Sequence, residues 1–553
     1  MTDKIHIYLA QLDPTVGDIA GNTALIRGAR AEAAAVGADL VVCPELIVCG
    51  YSPEDLVLKP FFLDRVESAV RELALETAEA GPALLVSAPW RQNGKLYNAL
   101  LLLDGGEIAA TRAKHELPNY GVFDEKRVFE SGPLPGPIAF RGVRLGAMTC
   151  EDMWLADVTE CLEESGAEIL VVVNGSPFEI DKPDLRAQIA TQRVIESGLP
   201  LIFVNQVGGQ DELVFDGASF VLNADRGVAV QAPAFRVAGI ATEWSRGTSG
   251  WSCAISHRQA PPEDEEAMYR AMVLGLADYV AKNGFPGVLI GLSGGVDSAL
   301  TAAVAVDALG ADRVRCVMMP SPYTSRESLD DAAECARRLG VTLDEIAIEP
   351  AMRAFEAMLK PVFAGRAPDT TEENIQARSR GIVLMALSNK LGHMLLTTGN
   401  KSEMSVGYAT LYGDMAGGFS VLKDVYKTEV YKLSRWRNGN RPDGFLGPAG
   451  DPIPANILTR APTAELRPGQ TDQDSLPPYD VLDDILRCLI EGDLGVDEIV
   501  ARGHAPKLVQ KVWGMLDLAE YKRRQAPPGV KLTHRAFGRD RRYPITNAFR
   551  KIL

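Results

Sequence analysis

The segment GLSGGVDS, 291–298, constrains the fold of this chain more than any other feature. It sits between an apolar run, VLIGL (288–292), and an alanine- and valine-rich segment, SALTAAVAVDALG (298–310). A strand, a glycine turn and a helix in that order open a crossover unit. Consecutive glycines let backbone N–H groups converge on an anion, and the helix adds its positive end. Gly291, Leu292, Gly294, Gly295 and Val296 supply that backbone, and Ser293 and Ser298 can donate hydroxyls to phosphate oxygens. Asp297 has no use facing a bare phosphate; it makes sense as a ligand of Mg²⁺ carried by a pyrophosphate. The alternation continues with strand RVRCVMMP (313–320), helix ESLDDAAECARRLG (327–340) and strand VTLDEIAI (341–348), preceded by helix AMYRAMVLGLADYVAKNG (267–284). Short crossover units of this kind predict a doubly wound parallel sheet.

The first ~255 residues have a different rhythm, and 553 residues are too many for one hydrophobic core. Strand-like runs include IHIYLAQ (5–11), DLVVCPEL (39–46), ALLVSAPW (83–90), VRLGAMTC (143–150), EILVVVNGS (168–176) and PLIFVNQVG (200–208). Helical patterns over 22–38 and 184–198 lie between some of them, and LYNALLLLDGGEI (96–108) reads as a hairpin arm. The expectation is an α/β domain over 1–255, a polar linker SHRQAPPEDEE over 256–266, and a second domain over 267–553. From 437 to 478 the chain is rich in Pro, Gly and Asn without a clear period, which suggests a lid or an interface element.

A net charge of −16 argues against nucleic acid or anionic membrane as a partner. No apolar run approaches the ~20 residues that span a bilayer. The eight cysteines form no CxxC pair and nothing at the start resembles a secretion signal, so a cytoplasmic protein with reduced thiols is expected. One basic stretch stands out, with ten Lys or Arg and a single acid, Asp540, between Lys522 and Lys551. It reads either as a solvated tail or as a cap of positive charge over a phosphate-rich ligand.

The turn at 291–298 lacks the GxxxxGK[ST] pattern of terminal-phosphate transfer and resembles the SGGxDS loop of ATP pyrophosphatases. That resemblance implies cleavage between the α and β phosphates of ATP, leaving AMP on a carboxylate as a good leaving group. In the first half, Glu45 in CPEL, Lys114 in TRAKHELPNYGVFDE and Cys150 in GAMTCEDMW form a set. A cysteine that attacks an amide needs a base and a nearby cation, roles open to Glu45 and Lys114. The set resembles the carbon–nitrogen hydrolase (nitrilase) family, which implies an αββα sandwich. NGSPFEIDK (174–182) is similar to the glutamine-binding stretch of its glutaminase branch, which implies Tyr120, Ser176 and Lys182 as glutamine contacts.

Together the halves resemble the glutamine-dependent NAD synthetases, through PSPYTSRESLDDA (320–332), TEENIQARSRG (371–381), TTGNKSEMSVGYATLYGD (397–414), LKDVYKTEVYKL (422–433) and RAPTAELRPGQTDQDSLPPYD (460–480). This implies a carbon–nitrogen ligase that uses ATP and Mg²⁺ to adenylate and then amidate deamido-NAD. Ammonia from glutamine would pass between the two sites, and AMP, pyrophosphate and glutamate would be released. The match implies Thr398 and Lys427 as ATP contacts, Glu403 as the second Mg²⁺ carboxylate beside Asp297, and Asn374, Glu403 and Lys522 around the dinucleotide. Lys531 could replace Lys522. Leu411 stands where short ammonia-only relatives carry lysine before Tyr-Gly-Asp, so contacts in that stretch do not transfer. The resemblance also implies a homo-oligomer, at least a dimer. Rival readings are another adenylating enzyme, making GMP, asparagine or a thiolated tRNA base, and a non-catalytic sensor. The 460–480 stretch, the absent CxxC and the complete Glu–Lys–Cys set favour none of them.

Overall fold

In a computed structural model, which describes residues 3–549, the chain divides into two compact units, Met1–Glu263 and Asp264–Leu553. Lys551, the end of the basic stretch, lies outside the described residues.

The first unit is built on two large sheets and also holds a two-stranded one, Val207–Gln210 with Leu213–Asp216. Seven strands run in the order Gly250–Cys253, Ala238–Gly247, Lys4–Gln11, Leu40–Val42, Ala83–Gln92, Lys95–Asp104 and Glu107–Ala113. Six run in the order Val228–Gln231, Phe220–Leu222, Leu201–Asn205, Ile169–Asn174, Val143–Thr149 and Ile138–Phe140. Side-chain alternation assigns each strand's two faces. Ile5, Ile7 and Leu9 join Leu40, Val42, Leu145, Ala147, Val171, Val173 and Val204 in one buried layer between the sheets. Tyr8, Ala10, Val41, Leu84 and Val86 face a second layer with Ile26, Ala29, Val66, Val70 and Leu73 of two helices. Leu170, Val172, Leu201 and Phe203 face a third layer with Val158, Leu162, Ala190 and Val194. Helix, sheet, sheet and helix are thus stacked as an αββα sandwich. A slip of one residue in any inner strand would exchange its two layers, so the register is strongly specified.

The outer helices follow from their sequences. Ile19–Ala35 starts where the Asp18 side chain accepts a hydrogen bond from Gly21 N, and it buries Ile26, Ala29 and Ala33 at three- and four-residue steps. Lys182–Ser197 stops at Gly198, whose φ of 67° suits the left-handed cap. The 96–108 segment is a hairpin arm: Lys95–Asp104 pairs antiparallel with both flanking strands.

The second unit holds a sheet of five parallel strands, in the order Thr342–Glu345, Val314–Met318, Val288–Gly291, Met394–Thr397 and Phe419–Ser420. In chain order this is 3-2-1-4-5, a doubly wound arrangement with its switch between Val288–Gly291 and Met394–Thr397. Ligands of such sheets bind beyond the carboxyl ends of the strands at that switch. The helix Val296–Leu309 is buried on nearly every side. Asp264, Glu265 and Glu266, within the stretch read as linker, form the first turn of Asp264–Lys282, where carboxylates suit the positive helix end. A cluster of helices, Tyr479–Ile490, Val496–Ala501 and Pro506–Leu518, packs with Met404 and Tyr426 in a further core.

The 437–478 stretch is anchored from its first residue. Arg437, fully buried, donates to Asp307 Oδ2 and Oδ1 at 2.6 and 2.9 Å and to the Pro448 carbonyl at 2.8 Å. The Tyr269 hydroxyl donates to the same carboxylate at 2.7 Å. Among the described residues no helix is long and apolar enough to cross a membrane. All eight cysteines are free thiols.

Candidate functional site

Within the first unit, four strand ends deliver the reactive side chains. Glu45 follows Leu40–Val42, Lys114 follows Glu107–Ala113, Cys150 follows Val143–Thr149, and Ser176 follows Ile169–Asn174. Lys114 Nζ donates to Glu45 Oε1 at 2.8 Å and to Glu125 Oε1 at 2.8 Å. Asn98 Nδ2 donates to Glu45 Oε1 at 2.8 Å and the Gly175 N–H to Oε2 at 2.9 Å, so the candidate base is held on three sides. Gly175 permits that approach: a Cβ there would lie 2.9 Å from the Tyr51 ring.

Burial alone would depress the Lys114 ammonium, but Glu125 and Glu45 outweigh it and hold the group well above the usual lysine range. Burial pushes Glu125 up to about 7 against the pull of Lys114, with Glu45 adding to the rise. Cys150 sits at φ 44° in a short turn and is 4% exposed. Burial and then Glu45 push its thiol well above the usual value, with Lys114 opposing. At rest the cysteine is therefore a thiol, and attack on an amide requires transfer of its proton to a base.

Around this centre, the Tyr120 hydroxyl donates to both Glu151 oxygens, at 3.1 and 3.0 Å. Lys182 lies 5.3 Å from the Phe123 ring centroid and pairs with Glu179 at 3.5 Å, and its charge acts on Glu151. Ser176 is buried, with its N–H donated to Asn205 Oδ1 at 3.0 Å. An acid and a lysine within reach of one another match the ammonium and carboxylate of an α-amino acid. Glu125, Glu151 and Asn98 carried no role in the sequence reading. Glu125 lies eleven residues after Lys114, at the end of a segment already singled out.

In the second unit the turn at 291–298 opens a cavity of about 300 Å³. Ser293 and Ser298 hydroxyls lie 3.1 Å apart, and Ser298 Oγ donates to the Gly295 carbonyl at 2.9 Å, which shapes the turn. Gly294 has φ 83° and passes so near Ser328 that a Cβ would sit 2.3 Å from its carbonyl oxygen. Lys427 Nζ pairs with Asp297 Oδ2 and, at 3.1 Å, with Glu403 Oε1. Asn400 joins the two acids: its Nδ2 donates to Asp297 Oδ1 at 2.7 Å and its Oδ1 accepts the Glu403 N–H at 3.0 Å. Burial pushes Glu403 up to about 7, with Lys427 pulling down and Asp297 pushing up. The same acids hold Lys427 above the lysine range despite its burial.

Thr398 lines the cavity, and the 437–478 stretch contributes Ile457, Arg460, Glu465 and Asp472 to its wall. Arg460 pairs with Glu465 at 2.6 Å and donates to Ser328 Oγ at 2.7 Å, which ties the stretch to the phosphate turn's neighbour. Asn374 and Lys522 are not among the lining residues. Asn374 accepts from Thr410 Oγ1 at 3.0 Å, and Lys522 Nζ donates to the Gly407 and Ala409 carbonyls at 2.7 and 2.6 Å. Both are bonded to the 407–410 segment, which contains the cavity-lining Tyr408 and Thr410. The basic stretch is largely spent on internal pairs: Arg523 with Glu520 at 2.8 Å, Arg541 with Glu520 at 3.3 Å and Lys531 with Asp540 at 3.2 Å.

A family model described as NAD synthase matches residues 268–526, and one described as carbon-nitrogen hydrolase matches 7–243. The chain is 53% identical over 550 residues to a glutamine-dependent NAD(+) synthetase of Rhodobacter capsulatus, covering 100% of each chain. It is 46% identical to one of Xanthomonas campestris, covering 99% of this chain and 98% of the other. A solved glutamine-dependent NAD+ synthetase of Acinetobacter baumannii, in complex with adenosine diphosphate, aligns over 99% of both chains at 42% identity with a TM-score of 0.79. One from Cytophaga hutchinsonii shares the fold at 22% identity, with a TM-score of 0.83 over 99% of this chain and 98% of that one.

Proposed function

The chain belongs to the glutamine-dependent NAD(+) synthetases, and from that premise we propose how its own residues divide the work. It amidates deamido-NAD to NAD with ATP, taking nitrogen from glutamine. What carries the division of labour is a complete Glu45–Lys114–Cys150 set in one unit and a phosphate-turn cavity with Asp297, Glu403 and Lys427 in the other.

In the first site, Glu151 and Lys182 receive the α-ammonium and α-carboxylate of glutamine, with Tyr120 and Ser176 lining the approach. Cys150 Sγ attacks the side-chain amide carbon while its proton passes to Glu45. Lys114, kept charged between two acids, offsets the negative charge that gathers on the amide oxygen. Collapse breaks the C–N bond, and the proton on Glu45 leaves with ammonia. Water then hydrolyses the thioester with Glu45 again as base, giving glutamate.

In the second site, the Gly291–Ser298 turn and Lys427 grip the ATP phosphates, and Thr398 contacts the nucleotide. The deamido carboxylate attacks the α-phosphorus, pyrophosphate leaves, ammonia adds to the activated carbonyl and AMP departs. Asp297 and Glu403 would hold Mg²⁺. Their oxygens converge on one ammonium, a hard donor pair that phosphate oxygens can complete. Bound there, the ion would neutralise charge on the pyrophosphate. Asn374 and Lys522 act on the dinucleotide through the 407–410 wall they brace. A homo-oligomer, at least a dimer, belongs to this reading. The Glu349–Phe363 helix buries none of its residues and exposes Met358 and Val362, which the mass in solution tests. A cytoplasmic location suits free thiols and an ATP-dependent reaction.

The deciding experiment is Cys150→Ala, assayed with glutamine and, separately, with excess ammonium at mildly alkaline pH. Glutamine-dependent synthesis is expected to vanish while ammonium-dependent synthesis persists, because the sulfur is needed only to open the amide. Wild-type glutamine-dependent activity would refute the assignment.

A further inference from the structure

The Lys114 strand end and the Cys150 turn come from different sheets, yet one carboxylate joins them. Asp152 Oδ1 accepts the N–H of His115 at 3.0 Å and of Glu116 at 2.8 Å. Its Oδ2 accepts the N–H of Thr149 at 3.0 Å. The backbone of Lys114 is already committed, its N–H to Asn98 and its carbonyl to Gly132, both at 2.8 Å. The next two N–H groups supply the tie from that strand end to the Cys150 turn. Cys150 is flanked by the clamp and held at φ 44°, a conformation that a residue with a side chain keeps only when its surroundings impose it. Asp152 is 1% exposed, so its oxygens have no water to fall back on.

We infer that Asp152 is a positioning residue for glutamine hydrolysis, setting the distance between the Cys150 sulfur and the Lys114 ammonium by clamping the two backbone segments that carry them. The inference rests on the glutaminase reading above. Asp152 makes its bonds to backbone, so it acts through its neighbours and not on the substrate. A carboxylate suits the task because both oxygens only accept, and three N–H groups point at them. Asparagine has the same shape but would turn an NH₂ group against at least one of those donors.

The test uses the full chain carrying Asp152→Asn, with Asp152→Ala as a second variant that deletes the acceptor without adding a donor. The expected result is a fall of about a hundredfold in kcat for glutamine-dependent synthesis, the scale of an ångström-sized misplacement of reacting groups. KM for glutamine and the ammonium-dependent rate are expected to hold. The pH profile for alkylation of Cys150 by iodoacetamide is expected to move upward, because the lysine no longer supports the thiolate at the same spacing. Wild-type kcat in the asparagine variant would overturn the inference. So would an unmoved alkylation profile accompanied only by a lower unfolding temperature in calorimetry, since that is the signature of a purely structural contact. Cys150→Ala, run alongside, separates the two levels. If it keeps glutamine-dependent synthesis, the glutaminase reading fails and this inference with it. If it loses that activity while Asp152→Asn keeps it, the clamp alone fails.

Discussion

Replacing Lys114 with methionine removes one charge from a fully enclosed ion cluster of the first unit and shortens the unbranched side chain by one heavy atom. Lys114 and Glu45 are fully buried and Glu125 is 5% exposed, and the ammonium is bonded to both acids at 2.8 Å. Removing one partner of a buried ion pair costs about 3–5 kcal/mol, because the remaining charge has neither water nor a counter-ion. Against the ~5–15 kcal/mol that holds a typical domain together, that is a large fraction. The cost also carries a pH signature. Burial pushes Glu125 up to about 7 even with Lys114 pulling against it. Without the ammonium its folded-state pKa rises further, while in the unfolded chain it stays near the ordinary 4.5. The folded variant then binds more protons than the unfolded one, so stability falls as pH rises through that window. Unfolding of the full chain is to be followed by calorimetry at pH 5.5 and pH 8, set beside synthesis from glutamine and from ammonium. The deficit relative to the parent should be larger at pH 8, and glutamine-dependent synthesis should be lost at both. A deficit that is absent, or the same at both pH values, would mean that Lys114 is not the cation compensating Glu125.

Asp297→Asn and Glu403→Gln should each lower synthesis from either nitrogen source by about 10²–10³-fold, the scale of losing one charge-stabilising group at a reacting centre. AMP formation across a Mg²⁺ titration checks this, and unchanged turnover at low Mg²⁺ would remove both acids from the metal. Glu151→Gln should raise KM for glutamine about ten- to a hundredfold, the value of one charge-assisted hydrogen bond, and leave KM for ammonium alone. Initial rates with each nitrogen source decide it, and an equal rise for both would point to a fold defect.

Much of the architecture was legible because period and punctuation agree with the fold. The strand–turn–helix at 288–310 and the crossovers to 348 announce a parallel sheet, and the double glycine at 105–106 marks the hairpin. What escaped reading lacks an apolar stripe. The helix Thr370–Leu391 buries Gln376, Ala377, Ser379 and Gly381, small or polar side chains that leave no helical period of large apolar residues. The helix Asp264–Lys282 begins inside an acidic, proline-containing stretch because three carboxylates in a first helical turn look, in sequence, like solvated linker.

The sites divide along the same line. Glu45, Lys114 and Cys150 are readable because each stands in a distinctive local word at a strand end. Their partners are not, because pairing is a long-range property. Glu45 and Lys114 meet across 69 residues, and Asp297 and Asn400 across 103. With 57 basic and 73 acidic residues in the chain, almost any acid can be matched to some base on paper. Only burial decides which pairs carry energy, since an exposed pair is worth about 0–1 kcal/mol while a buried group without its partner costs several. Lys522 shows how the fold gives a cation partners that its sequence context does not announce. In sequence it is the first of three consecutive cations, a natural phosphate contact. In the fold its ammonium is taken by the Gly407 and Ala409 carbonyls, and burial lowers its pKa. Those two carbonyls take two of the three N–H groups of the ammonium and fix the 407–409 backbone. In the reading proposed above, the effect of Lys522 on the dinucleotide runs through the position of Tyr408 and Thr410, which line the cavity.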